Sequence, residues 1–181
     1  MTVFISMLRG INLGSHNRIK MDALRAMYES LGLREPRTYV QSGNVIFEAR
    51  KVNPAKLTKE IENGIKQTFG ICSRVILRTP AELRDVIARN PFAARTDLHP
   101  SRFLVSFLPS DPGQDVRDRV NKIKTDPEEL RMDGRELYIY FPNGMARPKL
   151  SLAMLDRIVN MPATGRNWNS VTKMLEMAEN L

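Results

Sequence analysis

The sequence predicts an α+β fold, an α/β sandwich in two units. The first orders its elements β-α-β-β-α-β and the second, smaller one β-α-β-β-α-α. Three observations carry that expectation. Short runs of β-branched and aromatic residues alternate with stretches whose apolar residues recur three and four positions apart. Asparagine, glycine and proline mark the changes of period. A similar succession of patterns begins again after residue 100.

The first strand is Val3–Leu8, an apolar run too short to cross a membrane and stopped by Arg9. A glycine-rich loop follows, residues 9–20, RGINLGSHNRIK. Leu24, Met27, Tyr28 and Leu31 then mark the stripe of an amphipathic helix that Gly32 ends. Arg37–Gln41 and Val45–Glu48 read as short strands joined by a turn at Ser42-Gly43-Asn44. Asn53-Pro54 supplies a cap and first position for a helix carrying Leu57, Ile61, Ile65 and Phe69 on one face. Arg74–Arg78 returns as a strand, which completes the split β-α-β order of the ferredoxin-like fold. Thr79-Pro80-Ala81-Glu82 spells a capping box for one more helix, with Leu83, Val86 and Ile87 inward.

Two prolines and mixed polar residues between Asn90 and Pro100 place a domain boundary there, giving domains 1–92 and 101–181 with 93–100 as linker. Phe103–Leu108 starts a second series of elements. A polar helix follows from about Gln114 to Lys124, and Asp133-Gly134 signals a hairpin between Glu129–Met132 and Arg135–Phe141. Ser151 caps a helix with Leu152, Leu155, Ile158 and Val159, and Trp168, Val171, Leu175 and Ala178 stripe the last one. The second half echoes the first in element order, without a residue-level repeat.

Composition bounds the chemistry. At 181 residues with 42% apolar and 27% charged, the chain can bury a proper core. A single cysteine, Cys72, excludes an internal disulfide framework and a thiolate metal cluster, and His16 and His99 are too far apart in sequence to form a ligand-spaced pair. No metal site and no cofactor motif is expected. With no leader pattern and no long apolar run, the expected protein is soluble and cytoplasmic, with no membrane partner. Net charge is +8 and unevenly placed: residues 1–95 hold 16 Lys+Arg against 8 Asp+Glu, and residues 96–181 hold 12 of each. An excess confined to the first half suggests an anionic partner for that half, or a merely soluble basic surface.

The predicted topology gives the loop a place. In a split β-α-β unit the end of strand one, the turn between strands two and three and the start of strand four share one edge of the sheet. Arg9, Gly10, Asn12, Gly14, Asn17 and Lys20 are thereby expected near Ser42, Gly43, Asn44 and Arg74, beside the start of the first helix. Glycines let backbone N–H groups approach an anion, and Arg and Lys supply charge and forked donors. Phosphate or carboxylate suits such a cluster. A structural loop suits it equally, because Asn and Gly are what tight turns require. Gly10-x-x-x-Gly14 is neither a P-loop nor a dinucleotide fingerprint.

Three blocks resemble a known family. Leu8-Arg9-Gly10-Ile11-Asn12-Leu13-Gly14 with Asn17 and Met21, Thr38-Tyr39-Val40-Gln41-Ser42-Gly43-Asn44, and Arg166-Asn167-Trp168-Asn169 are similar to the bacterial family called domain of unknown function 1697. The likeness runs over nearly the whole chain and implies compact α/β units of ferredoxin-like type, with no established activity. The family's Thr-Ala-Arg-Asn-Trp with a following Thr stands here as Thr164-Gly165-Arg166-Asn167-Trp168, ending in Ser170. The resemblance adds Arg166, Asn167 and Trp168 as candidates without giving them roles.

Other residues weigh less. Trp168 suits a core position and Asn167 a helix cap. Arg147-Pro148-Lys149 reads as an exposed turn, Cys72 lacks a patterned base, Ser42 lacks a nucleophile elbow, and His16 has no visible orienting partner. No base, nucleophile or metal set can be named, so the sequence leaves catalysis open. The leading expectation is a small anionic ligand at 9–20 and 41–44. The alternatives are nucleic-acid binding by the basic first domain, and a protein-interaction module. The sheet aromatics Phe4 and Phe47 lack the signature of base-stacking RNA readers. Oligomeric state leaves no mark in this sequence.

Overall fold

Thr2–Leu8, rich in β-branched and apolar residues, forms strand β1, whose last five residues are all buried. In the computed structural model, which describes residues 1–50 and 53–181, the chain then runs α1 (Met21–Ser30), β2 (Arg34–Tyr39), β3 (Asn44–Ala49), α2 (Pro54–Phe69), β4 (Val75–Arg78) and α3 (Pro80–Ala88). β5 (Phe103–Phe107), α4 (Gln114–Asn121), β6 (Glu129–Asp133), β7 (Glu136–Tyr140), α5 (Leu152–Val159), β8 (Thr164–Asn167) and α6 (Trp168–Glu179) complete it. The chain divides into two units, Met1–Arg84 with Lys173–Leu181, and Asp85–Thr172. Among the described residues, no helix is long and apolar enough to cross a membrane.

The first sheet has the order β2-β3-β1-β4, with every neighbouring pair antiparallel. β1 and β2 therefore run parallel with β3 between them, the ferredoxin-like split. Alternation along the strands sends Phe4, Leu8, Val45 and Phe47 to the face where α1 and α2 bring Leu24, Tyr28, Leu57, Ile61 and Ile65. Each such buried side chain contributes about 1.5–3 kcal/mol. Ile5, Met7, Ile46 and Ile76, of opposite parity, are buried as well.

Local chemistry sets the helix ends as the sequence suggests. Asn53 Oδ1 accepts from Ala55 N at 2.9 Å, with Pro54 in the first turn of α2. Thr79 Oγ1 accepts from Glu82 N at 3.3 Å while Glu82 Oε2 accepts from Thr79 N at 2.7 Å, a complete capping box. Ser151 Oγ caps α5 through Met154 N at 3.2 Å.

Three local expectations shift. β2 ends at Tyr39 and the turn occupies residues 40–43, because Val40 (φ 49°) and Gly43 (φ 75°) leave extended geometry. In the second hairpin Asp133 pairs with Glu136, so the turn residues are Gly134-Arg135, one later than the Asp-Gly pair implied. The last difference adds an element. The second half was expected as β-α-β-β-α-α, and Thr164–Asn167 forms a fourth strand, β8, between its two helices. Those residues hold no apolar side chain to signal a strand. They extend because the open edge of β5 offers its backbone groups, and Thr164 and Arg166 turn to a buried face.

With β8 in place the second sheet, β6-β7-β5-β8, repeats the first strand for strand. The ladders then set residues in register across the two units. Ser6 opposes Val45 and Leu77, and Ser106 opposes Leu137 and Gly165. Ile5 opposes Arg78 as Val105 opposes Arg166, and both arginines are buried. Each donates Nη1 to the carbonyl of the residue before it. Two residues after each, a helix begins, α3 at Pro80 and α6 at Trp168. The echo is thus residue-deep at positions too sparse to show in the sequence.

Candidate functional site: the loop edge of the first unit

Where β1 ends, three hydrogen bonds gather distant segments. Leu8 N donates to Gly43 O at 2.9 Å, Arg9 N to Arg74 O at 2.9 Å, and Ser73 Oγ to Arg9 O at 2.7 Å. The 9–20 loop, the 40–43 turn and the start of β4 therefore meet at one edge. The approach is close enough to require glycine: a Cβ on Gly43 would lie 2.6 Å from Ile11 Cδ1 and 2.8 Å from Leu8 Cβ. Ile11 is itself buried and anchors the loop in the core.

The loop's amides are spent on its own shape. Asn12 is the hub: its Oδ1 accepts from Ile19 N at 2.8 Å, and its Nδ2 donates to Ile19 O at 3.1 Å and Gln41 O at 2.7 Å. Asn17 Nδ2 donates to Gly10 O at 2.9 Å. Asn44, fully buried, donates to Tyr39 O at 3.2 Å and Ser42 Oγ at 2.9 Å. Asn12, Asn17, Ser42 and Asn44 thus brace the edge, with Gly10 (φ 71°) supplying a turn. The outward residues are Arg9, Gly14, His16, Arg18 and Lys20, all exposed. The N-terminus of α1 adds little positive field, because Asp22 already stands in its first turn and pairs with Arg25.

Beside this edge lies a recess of about 260 Å³ lined by Glu62, Asn63, Lys66, Cys72, Ser73 and Arg74. Ser73 and Arg74 are the two residues that hold the Arg9 backbone, so recess and loop are continuous. Glu62 belongs to the scaffold. Its Oε1 accepts from Val75 N at 3.0 Å and its Oε2 meets Arg74 Nη1 at 3.4 Å. Lys66 stands in the last turn of α2, and among the described residues its ammonium has no hydrogen-bond or ion-pair partner. The sequence pattern points to Arg74 and carries no local sign of Lys66 or Asn63. Their signal was topological: α2 must end at the edge where β4 starts, so its last polar turn joins the cluster.

Val40 adds strain to the same edge. It is β-branched, 52% exposed, and holds φ 49° in the turn that Asn12 grips through Gln41. Such a conformation costs on the order of 1–3 kcal/mol and recurs at ligand-binding edges.

Arg166 and Asn167 belong to the second unit. Arg166 Nη1 donates to Thr164 Oγ1 at 2.9 Å and Gly165 O at 2.8 Å, and burial draws its pKa down to about 10. Asn167 Oδ1 accepts from Ser170 N at 2.9 Å and caps α6, and Trp168 stacks on Phe103 with centroids 4.8 Å apart. The third block thus builds the junction between β8 and α6. In the first unit Phe4 and Phe47 stack at 6.0 Å beneath the helices, both buried. They form no platform for bases.

The sequence model of a family described as "Protein of unknown function (DUF1697)" matches residues 1–138. Among solved structures, the conserved bacterial protein SP0830 from Streptococcus pneumoniae is similar over 99% of both chains, with a TM-score of 0.72 and 22% sequence identity. That likeness concerns the fold. No functionally curated protein matches the chain.

Proposed function

The chain belongs to this family of unknown function, and we propose that its first unit binds a small anionic molecule, bearing phosphate or carboxylate, at the edge shared by Arg9, Lys66 and Arg74. The observation that carries the reading is the pinning of Arg9. Its N–H and carbonyl are held by Arg74 and Ser73, which places its backbone next to two residues of a recess that Lys66 and Arg74 line, and its side chain is exposed. In this reading the Asn/Gly loop is a rigid frame and the cations do the binding. A preorganised frame lowers the ordering cost of capturing a small ligand. The volume suits one charged group and a few carbon atoms, not a dinucleotide.

The excess charge of residues 1–95 also supports a second reading, contact with the phosphates of a polynucleotide. With Phe4 and Phe47 buried, such binding would be electrostatic and steeply salt-dependent.

A thermal-shift panel of sugar phosphates, nucleotides, small carboxylates and short RNA and DNA, at low and moderate salt, tests both readings. A ligand at a hundred times its dissociation constant stabilises by about 2.7 kcal/mol, roughly 5–10 °C for a chain of this size. A small-molecule shift that survives salt and disappears in Lys66→Ala supports the pocket. A shift with any polynucleotide that fades with salt replaces it with the second reading. No shift across the panel overturns both.

A further inference from the structure

The second unit holds a cavity of about 190 Å³ between its sheet and α5, walled by Leu104, Ile139, Leu155 and Gly165, with Ser106 and Asp156 also among the lining residues. We infer that it is a binding site for a neutral, ring-sized molecule carrying one hydroxyl, of which phenol is the simplest example.

The register that relates the two units shows what the cavity lacks. Ser6, the counterpart of Ser106, meets the hydroxyl of Tyr28 at 2.8 Å and also donates to Val45 O at 3.2 Å. That phenol is fully buried, and its ring packs edge-on against Phe47 with centroids 5.2 Å apart. In the second unit the position of Phe47 is taken by Ile139, that of Phe4 by Leu104 and that of Leu77 by Gly165. Replacing two rings by aliphatic chains and a leucine by glycine removes side-chain volume, of which Leu137 in the place of Val45 and Leu104 against Gly165 return only part. α4, the counterpart of α1, buries only Val120 and sends no tyrosine to the serine. Ser106 Oγ consequently makes no hydrogen bond among the described residues, though it faces a mostly apolar wall.

Ser106 is half-buried, so its hydroxyl is open to the cavity and can pair with a ligand that supplies both missing parts, an apolar ring and a hydrogen-bonding group. An engineered apolar cavity of similar volume takes up benzene, so one ring is the right scale. The residues lining the cavity include Asp156 and no cation, so an anion finds no opposite charge there. This site is separate in chemistry from the edge of the first unit: that edge presents cations and this cavity presents none.

Calorimetric titration of the full chain with phenol, toluene and benzoate, in wild type and Ser106→Ala, tests the inference. Saturable one-to-one binding of phenol is expected, weakened about tenfold by Ser106→Ala, with toluene affinity unchanged by that variant. Benzoate should bind at least tenfold more weakly than phenol. Gly165→Ala, whose methyl would meet Leu104 at 3.1–3.3 Å, narrows the site and should weaken phenol and toluene alike. Absence of saturable phenol binding to folded protein, equal phenol affinity in Ser106→Ala, or benzoate binding as tightly as phenol would overturn the assignment.

Discussion

Ser73 donates its hydroxyl to the carbonyl of Arg9 at 2.7 Å, across 64 positions of sequence. That bond fastens the first residue of the Gly/Asn loop to the residue before Arg74, and so fixes the backbone spacing of two arginines with exposed side chains. Ser73 is almost fully buried, so its loss leaves the Arg9 carbonyl short of a donor. Ser73→Ala should cost about 1–2 kcal/mol in urea unfolding and weaken anion binding further than the stability loss alone. Retained affinity in this variant would show that Arg9 does not need its anchor.

Among the described glycines of the first unit, Gly43 has the closest neighbours. A methyl there meets both φ 75° and the Ile11 and Leu8 side chains. Gly43→Ala should destabilise by at least about 2 kcal/mol, read as a lower denaturation midpoint. Gly14→Ala is the control: its φ is also positive, at 58°, but a Cβ there meets nothing within 4 Å. Its cost should stay near 1 kcal/mol.

Val40 invites the opposite result. A β-branched residue that is 52% exposed and holds φ 49° stores backbone strain. Val40→Asn should raise stability by about 1 kcal/mol. If the strain serves the edge, the same variant loses ligand affinity; if it is incidental, affinity is unchanged.

The alkaline limb of stability has a defined source. Burial raises the Tyr28 pKa above its ordinary value of 10.0, against a smaller opposing effect of the Ser6 hydrogen bond. The neutral phenol therefore contributes stability that is fully present below pH 10 and is lost as pH rises toward the native pKa. The loss approaches 1.4 kcal/mol per pH unit for one such group. Tyr138, raised by its own burial, acts in the same direction. Arg166 opposes both, since its lowered pKa means that the cost of burying its charge is relieved above about pH 10. Unfolding followed from pH 8 to 11 should show a shallower alkaline decline in Tyr28→Phe than in wild type.

Much of this was legible because several rules agreed at the same residues. Asn53-Pro54 and the Thr79 to Glu82 box match sequence and cap chemistry, and the Leu24 to Tyr28 stripe matches periodicity and burial. The meeting of Arg9 with the 40–43 turn followed from strand order alone. β8 was hidden because its four residues carry no periodicity, and only an available edge makes them a strand. The role of Asn12 was hidden for another reason: a side-chain amide that braces a loop and one that grips a ligand have the same spelling. Lys66 lies outside both conspicuous blocks, and only the meeting of α2 with β4 brings it in.

The most direct measurement of the central claim is an amide NMR titration of the full chain with inorganic phosphate, in wild type and Lys66→Ala, at low and at physiological salt. The account predicts saturable shifts confined to residues 9–12 and 62–74, surviving physiological salt and lost in Lys66→Ala. Shifts that are absent, or that spread over the basic surface and vanish with salt, would contradict it.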